Sequence, residues 1–182
     1  LAAIRNGECI IVVDDERREN EGDLICAAQF ATPEQINFMA TEARGLICLS
    51  MEGDRLDQLD LPLMVDRNTD ANQTAFTVSI DAGPENGVTT GISAEDRYET
   101  IKKLSDPKAT KDDFNIPGHI FPLMGMQGGV LRRPGHTEAA LELCKIVGFN
   151  EVAVVCEVIR DDGKMARLDD LLDFGFKHSI KV

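Results

Sequence analysis

The densest run of charge in the sequence is Asp14-Asp15-Glu16-Arg17-Arg18-Glu19-Asn20-Glu21-Gly22-Asp23. Most such runs are solvated faces. This one starts where the apolar stretch Cys9 to Val13 ends, and ligand sites in sheet proteins favour strand ends. Glu19, Glu21 and Asp23 then precede a second segment, Leu24 to Ala28, that should return to the core. Carboxylates forced together repel unless a proton or cation relieves them, and hard oxygen ligands suit magnesium.

A second constellation is Arg132-Arg133-Pro134-Gly135-His136-Thr137, directly before the clearest helical pattern. The free amides and positive dipole end of a helix start make a ready phosphate site. Gly135 lets the backbone approach closely, Thr137 can cap or donate, and the arginines supply charge. The blander reading is a capped surface helix with two solvated arginines, and His136 alone is an ordinary cap-region residue. His119, in Pro117-Gly118-His119, reads alone as a packed loop histidine. Glu157 interrupts the apolar run Val152 to Val158, where a carboxylate must be paired, exposed at the strand end, or functional. Cys48 is most simply a small buried hydrophobe; a reactive thiol there would need cations nearby to lower its pKa.

The elements that must position these residues alternate in type. Cys9 to Val13, Leu24 to Ala28, Leu46 to Ser50, Phe76 to Ile80 and Val152 to Ile159 read as strands. Thr32-Pro33 opens a helix that Gly45 should stop, and Ser93 caps another running through Leu104. Thr137 to Val147 and Leu168 to Phe174 read as further helices, and Leu1 to Gly7 as a helix tail ended by glycine. Asp54 to Asn72 and Asp106 to Gly118 read as irregular. The expectation is an α/β (α+β) fold: one layered domain over residues 1–182, with a mixed β-sheet flanked by helices.

Composition narrows the partners. With 32 acidic and 19 basic residues the formal charge is -13, which argues against a nucleic-acid partner but allows a small anion held by local cations. The five cysteines include no C-x-x-C pair, so reduced thiols in a cytoplasmic protein are expected. No apolar run approaches the ~20 residues needed to span a bilayer, so no membrane partner is expected.

Taken in order, these segments resemble the 3,4-dihydroxy-2-butanone 4-phosphate synthase family across nearly the whole chain. The resemblance is carried by Val13 to Glu16 with Arg18 to Asp23, then Gly45-Leu46-Ile47-Cys48-Leu49, Leu61 to Val65, Phe76-Thr77-Val78 and Gly87 to Ser93. Pro117 to Leu123, Gly128 to Leu131, Gly135 to Ala139 and Cys156-Glu157 complete it. The resemblance implies a lyase of riboflavin biosynthesis that converts D-ribulose 5-phosphate to L-3,4-dihydroxybutan-2-one 4-phosphate and formate. It implies magnesium, with manganese as a substitute, on Glu19 and His136. Arg18, Glu19, Asp23, Thr90, Arg133, Pro134, Gly135, His136, Thr137 and Glu157 match substrate-binding positions. Glu21, Asp23, Cys48, His119 and Glu157 match catalytic or active-site positions. A homodimer with active sites near the subunit interface is also implied.

Three departures stand out: Ile116 where the family often has Arg, Met124-Gly125 where it often has Arg-Ala, and Pro134 where it often has Gly. The first two remove positive charge, and Pro134 removes an amide donor. In the expected reaction a divalent ion polarises the ketose, a carboxylate from Glu21, Asp23 or Glu157 takes the C3 proton, and His119 serves as general acid. The alternatives are another metal-assisted sugar-phosphate isomerase or aldolase, or a catalytically dead acidic binding domain. Without a second domain or clustered cysteines before Val182, the monofunctional form is expected rather than a fusion to a GTP cyclohydrolase.

Overall fold

The computed structural model describes residues 1–182. In chain order the strands are β1 (Ile10–Val13), β2 (Gly22–Ala27), β3 (Cys48–Met51), β4 (Ile80–Ala82), β5 (Phe114–Met124) and β6 (Val152–Glu157). The helices are α1 (Ala2–Arg5), α2 (Pro33–Phe38), α3 (Gly53–Gln58), α4 (Ala94–Ser105), α5 (His136–Val147) and α6 (Leu168–His178). One sheet runs in the order β1-β2-β6-β3-β5-β4. It is mixed as expected: β3 and β5 are parallel, and all other neighbours are antiparallel.

Both faces of this sheet are covered, so its central strands are apolar at successive positions rather than alternating with polar ones. Leu24 and Cys26 of β2, Leu49 and Met51 of β3, and Val154 and Cys156 of β6 face one core, with Ile36, Ile101, Leu104 and Leu171 from helices. The intervening Ile25 and Ala27, Cys48, and Ala153 and Val155 face a second core with Ile4, Ala140 and Cys144. Each fully buried Leu or Ile contributes about 1.5–3 kcal/mol, and a one-residue slip would exchange the two faces. That alternation sets the site. Asp23 lies two positions before Ile25, Glu157 two after Val155, and Asp23 pairs with Glu157 in the ladder. Both carboxylates therefore share the Cys48 face, at the end of the sheet where α5 begins.

Several boundaries differ from the sequence expectation. Thr32 and Gln35 form a reciprocal capping box at the start of α2. The helix continues as a π-turn, Met39–Ala43, and ends at Arg44 with φ 68, not at Gly45. Gly45 is required for a different reason, because a Cβ there would overlap the backbone and carboxylate of Glu157. α3 lies inside the segment read as irregular. The strand expected at Phe76 to Ile80 is only bridged at Phe76 and Thr77, and pairing proper begins at Ile80. The longest strand, β5, starts within the expected loop.

Candidate active site

The acidic loop between β1 and β2 is organised around one carboxylate that faces inward. Asp14 accepts from the amides of Glu19 (3.1 Å) and Glu21 (2.9 Å) and from the Arg18 guanidinium (2.8 Å). Burial alone would raise its pKa, but the Glu21 amide, Arg18 and the Glu19 amide together hold it below the ordinary carboxylate value. Asp15, Glu16 and Arg17 point to solvent. Folding the loop around Asp14 turns Arg18, Glu19 and Glu21 toward the sheet end. Arg167 donates to the Glu19 and Asn20 carbonyls and closes the loop from α6.

These groups line one cleft with Asp23, Cys48, Glu157, Arg133, His136 and Thr137, walled by Thr74, Phe76 and Leu123. His136 is buried, with Nδ1 3.4 Å from Glu19 and 3.6 Å from Asp23. Burial works to lower its pKa, but Glu19, Asp23 and Asp14 outweigh it and raise the value. The His136 interaction, with Arg18 adding to it against burial, holds Glu19 below its usual range. Asp23 goes the other way. Burial, reinforced by Glu157, Glu19 and Glu21, pushes it up to about 7. Burial and then Glu19 also raise Glu21. Glu157 is aimed by the Leu46 amide, which donates to its Oε2 at 2.8 Å. Cys48 forms part of the floor; burial and then Glu157 push its thiol well upward, the opposite of the lowered pKa a reactive thiol requires.

The start of α5, which carries His136, continues the cleft wall. Gly135 occupies the N-cap with no side-chain cap, which leaves first-turn amides without a capping partner from that residue. Any Cβ at Gly135 would press on the guanidinium groups of Arg133 and Arg18. Arg133 is nearly fully buried and bonded to Glu138 (2.6 Å), the Asn72 carbonyl (2.9 Å) and Thr74 (2.8 Å). It is a fixed cation beside the helix start, whereas Arg132 and Pro134 are exposed.

Two expected residues lie elsewhere. His119 and Thr90 are not among the cleft-lining residues. They stand near each other toward the β5–β4 edge of the sheet, both exposed, with Gly91 packed against the His119 ring. Sequence reasoning also passed over Asp14, whose ligand atom lies within 4.8 Å of those of Glu19 and His136. Thr74 and Asn72, the latter bonded to Glu19 at 3.0 Å, were missed too, since they sit in a segment with no periodic pattern.

The fold and site define a mixed-sheet α/β protein with an acidic cleft suited to a divalent cation, next to an uncapped helix start suited to an anion. The model of the 3,4-dihydroxy-2-butanone 4-phosphate synthase family matches residues 1–182, and the chain belongs to that family. It is 62% identical over 182 residues to the riboflavin biosynthesis protein RibBA of Synechocystis, of which it covers 33%. It is 54% identical to the 3,4-dihydroxy-2-butanone 4-phosphate synthase of Agrobacterium fabrum, of which it covers 84%. A 3,4-dihydroxy-2-butanone 4-phosphate synthase solved with two magnesium ions superposes with a TM-score of 0.94 at 44% identity, over all of this chain and 88% of that one. The two-domain RibBX of A. baumannii also gives 0.94, at 49% identity, over 99% of this chain and 52% of that one. The chain thus spans a third to just under half of the first two curated relatives it matches.

Proposed function

We propose that this chain catalyses the conversion of D-ribulose 5-phosphate to L-3,4-dihydroxybutan-2-one 4-phosphate and formate in riboflavin biosynthesis, with residues 1–182 acting as one synthase domain. The observation that carries this reading is the meeting of Asp14, Glu19 and His136 at one point, beside a cleft that the start of α5 also lines. A pentose phosphate needs both halves, since its reacting carbons and its phosphate lie at opposite ends.

The cleft fits a divalent cation. Asp23 Oδ1 and His136 Nε2 are buried with no hydrogen-bond partner, and four carboxylates (Glu19, Glu21, Asp23 and Glu157) line one small space. Glu19 and His136 would hold magnesium, or manganese, with Asp14 shaping the loop behind them. When bound, the cation would supply Lewis-acid polarisation of the ketose carbonyl and its neighbouring hydroxyl.

The remaining chemistry belongs to side chains. Arg133, Gly135, Thr137 and the first-turn amides of α5 anchor the phosphate, and Arg18 adds charge from the facing loop. Pro134 supplies only its fixed backbone shape there, since it has no amide to donate. Anchoring the phosphate fixes the C3 hydrogen against the carboxylates of Glu21, Asp23 and Glu157. One of these accepts the C3 proton; Asp23 presents an Oδ1 that no protein donor occupies. Cys48 contributes an uncharged floor. No helix is long and apolar enough to cross a membrane.

His119 and Thr90 lie outside the lining of the cleft, and the reading that joins them to it is a homodimer in which one copy supplies them to the cleft of the other. Exposed apolar residues beside these two in the chain (Ile92 and Ile116) supply a surface for that contact. The function is tested with Glu19→Gln and His136→Ala, each purified and checked for fold by circular dichroism. Either change is expected to abolish formate release from ribulose 5-phosphate, and near-normal turnover in either would overturn the assignment. Exhaustive chelation is expected to stop activity and added magnesium to restore it; activity untouched by chelation contradicts the cation's role.

A further inference from the structure

β4 and β5 lose their register at one place, and what that break accomplishes is specific. Ile80 pairs with Ile120, yet the next residue, Asp81, pairs with Asn115, so Ile116 to His119 lie outside the ladder. Such irregularities re-aim side chains. Here Gly118 passes so close to the Ile80–Asp81 backbone that any Cβ would overlap it, while its amide donates to Ser79 at 3.1 Å. His119 is thereby brought over the carboxylate of Asp81. One carboxylate oxygen accepts from the His119 amide and the other meets the ring Nδ1, both at 2.7 Å. The Asp81 side chain is 11% exposed and that of His119 42% exposed. Gly91, at φ +93, closes the third side, where a Cβ would strike both the Asp81 carboxylate and the ring.

We infer that Asp81 is a positioning residue for the reaction: it fixes the His119 ring in one orientation, with the proton on Nδ1 and with Nε2 presented to solvent and to an incoming substrate. The inference rests on the reading of His119 as the acid–base group of the proposed reaction. The chemistry is that of a carboxylate behind a histidine. An ionised carboxylate only accepts, so the ring nitrogen facing it carries the proton and the opposite nitrogen does the exchanging. The bond to the amide is enough to hold the backbone break. The bond to the ring orients the imidazole.

The test uses the whole chain with magnesium present. Nitrogen-15 spectra of the His119 ring, recorded where it is neutral, are expected to show the Nδ1–H tautomer in the natural protein and its loss in Asp81→Asn, which keeps an oxygen for the His119 amide. The kcat of Asp81→Asn for formate release is expected to fall about a hundredfold or more with KM within about threefold. Asp81→Asn combined with His119→Asn is expected to be no slower than His119→Asn alone, because the two act as one unit. A proton on Nε2 in the natural protein, unchanged ring spectra in Asp81→Asn, a kcat within a few-fold of the natural one, or losses that multiply in the double variant would each overturn the assignment. If the natural chain releases no formate, the proposed reaction fails, while the ring spectra still decide the role of Asp81.

Discussion

Asp14 shows how one side chain can matter through the backbone it gathers. Its oxygens collect two loop amides and Arg18, and that arrangement delivers Glu19 to His136. Groups behind a ligand typically change metal affinity by about 10–100-fold when removed. Asp14→Ala is therefore expected to raise the magnesium concentration needed for half-maximal activity by about that factor, with a smaller loss of rate at saturation. An unchanged magnesium requirement would contradict the role given to Asp14. In the sequence Asp14 looks like Asp15 and Glu16; only burial separates them. Glu19, Glu21, Asp23 and His136 were legible because their acid spacing and helix-start context have chemical meaning. The state of the Cys48 thiol was not, since it depends on what surrounds the side chain.

Among the elements, the loop carrying Thr90 is held by α4 rather than by its own residues. Asp96, buried in the first turn, accepts from the Thr89 amide (2.9 Å), the Thr89 hydroxyl (2.8 Å) and the Gly91 amide (3.0 Å). The Thr89 amide leads the donors that together depress its pKa from 3.8 to about 2. A depressed carboxyl contributes stability that is complete above its unfolded pKa and disappears as pH falls toward its folded one. Asp96→Asn is thus expected to lower Tm by about 5 °C at neutral pH, with the gap to the natural protein closing between about pH 4 and pH 2. A gap that persists at pH 2, or none at pH 7, would contradict this. The helix itself was legible from Ser93, which caps it as expected. β5 was not, because Pro117 and Gly118 read as breakers; they sit in the exposed register break, where a strand tolerates both. α3 is too short to carry a period.

For the whole molecule, the mixed sheet and its flanking helices followed from the alternation of apolar runs and capped helical patterns. The order β1-β2-β6-β3-β5-β4 did not, because it depends on long-range pairing that local pattern leaves open. That order puts the Glu19 loop on the β1–β2 side and His119 on β5, toward the opposite edge, and it gives the proposed homodimer a distinct test. Glu19→Gln and His119→Asn, each inactive alone, are expected to regain about a quarter of normal activity when refolded as an equal mixture. Half the dimers would then be mixed, each with one intact site. No recovery would mean that each site is built within a single chain. The most direct measurement on the reaction itself follows the label from ribulose 5-phosphate carrying carbon-13 at C4, incubated with the purified chain and magnesium. Formate carrying the label is the expected result; label retained in a phosphorylated five-carbon product, or no formate at all, would contradict it.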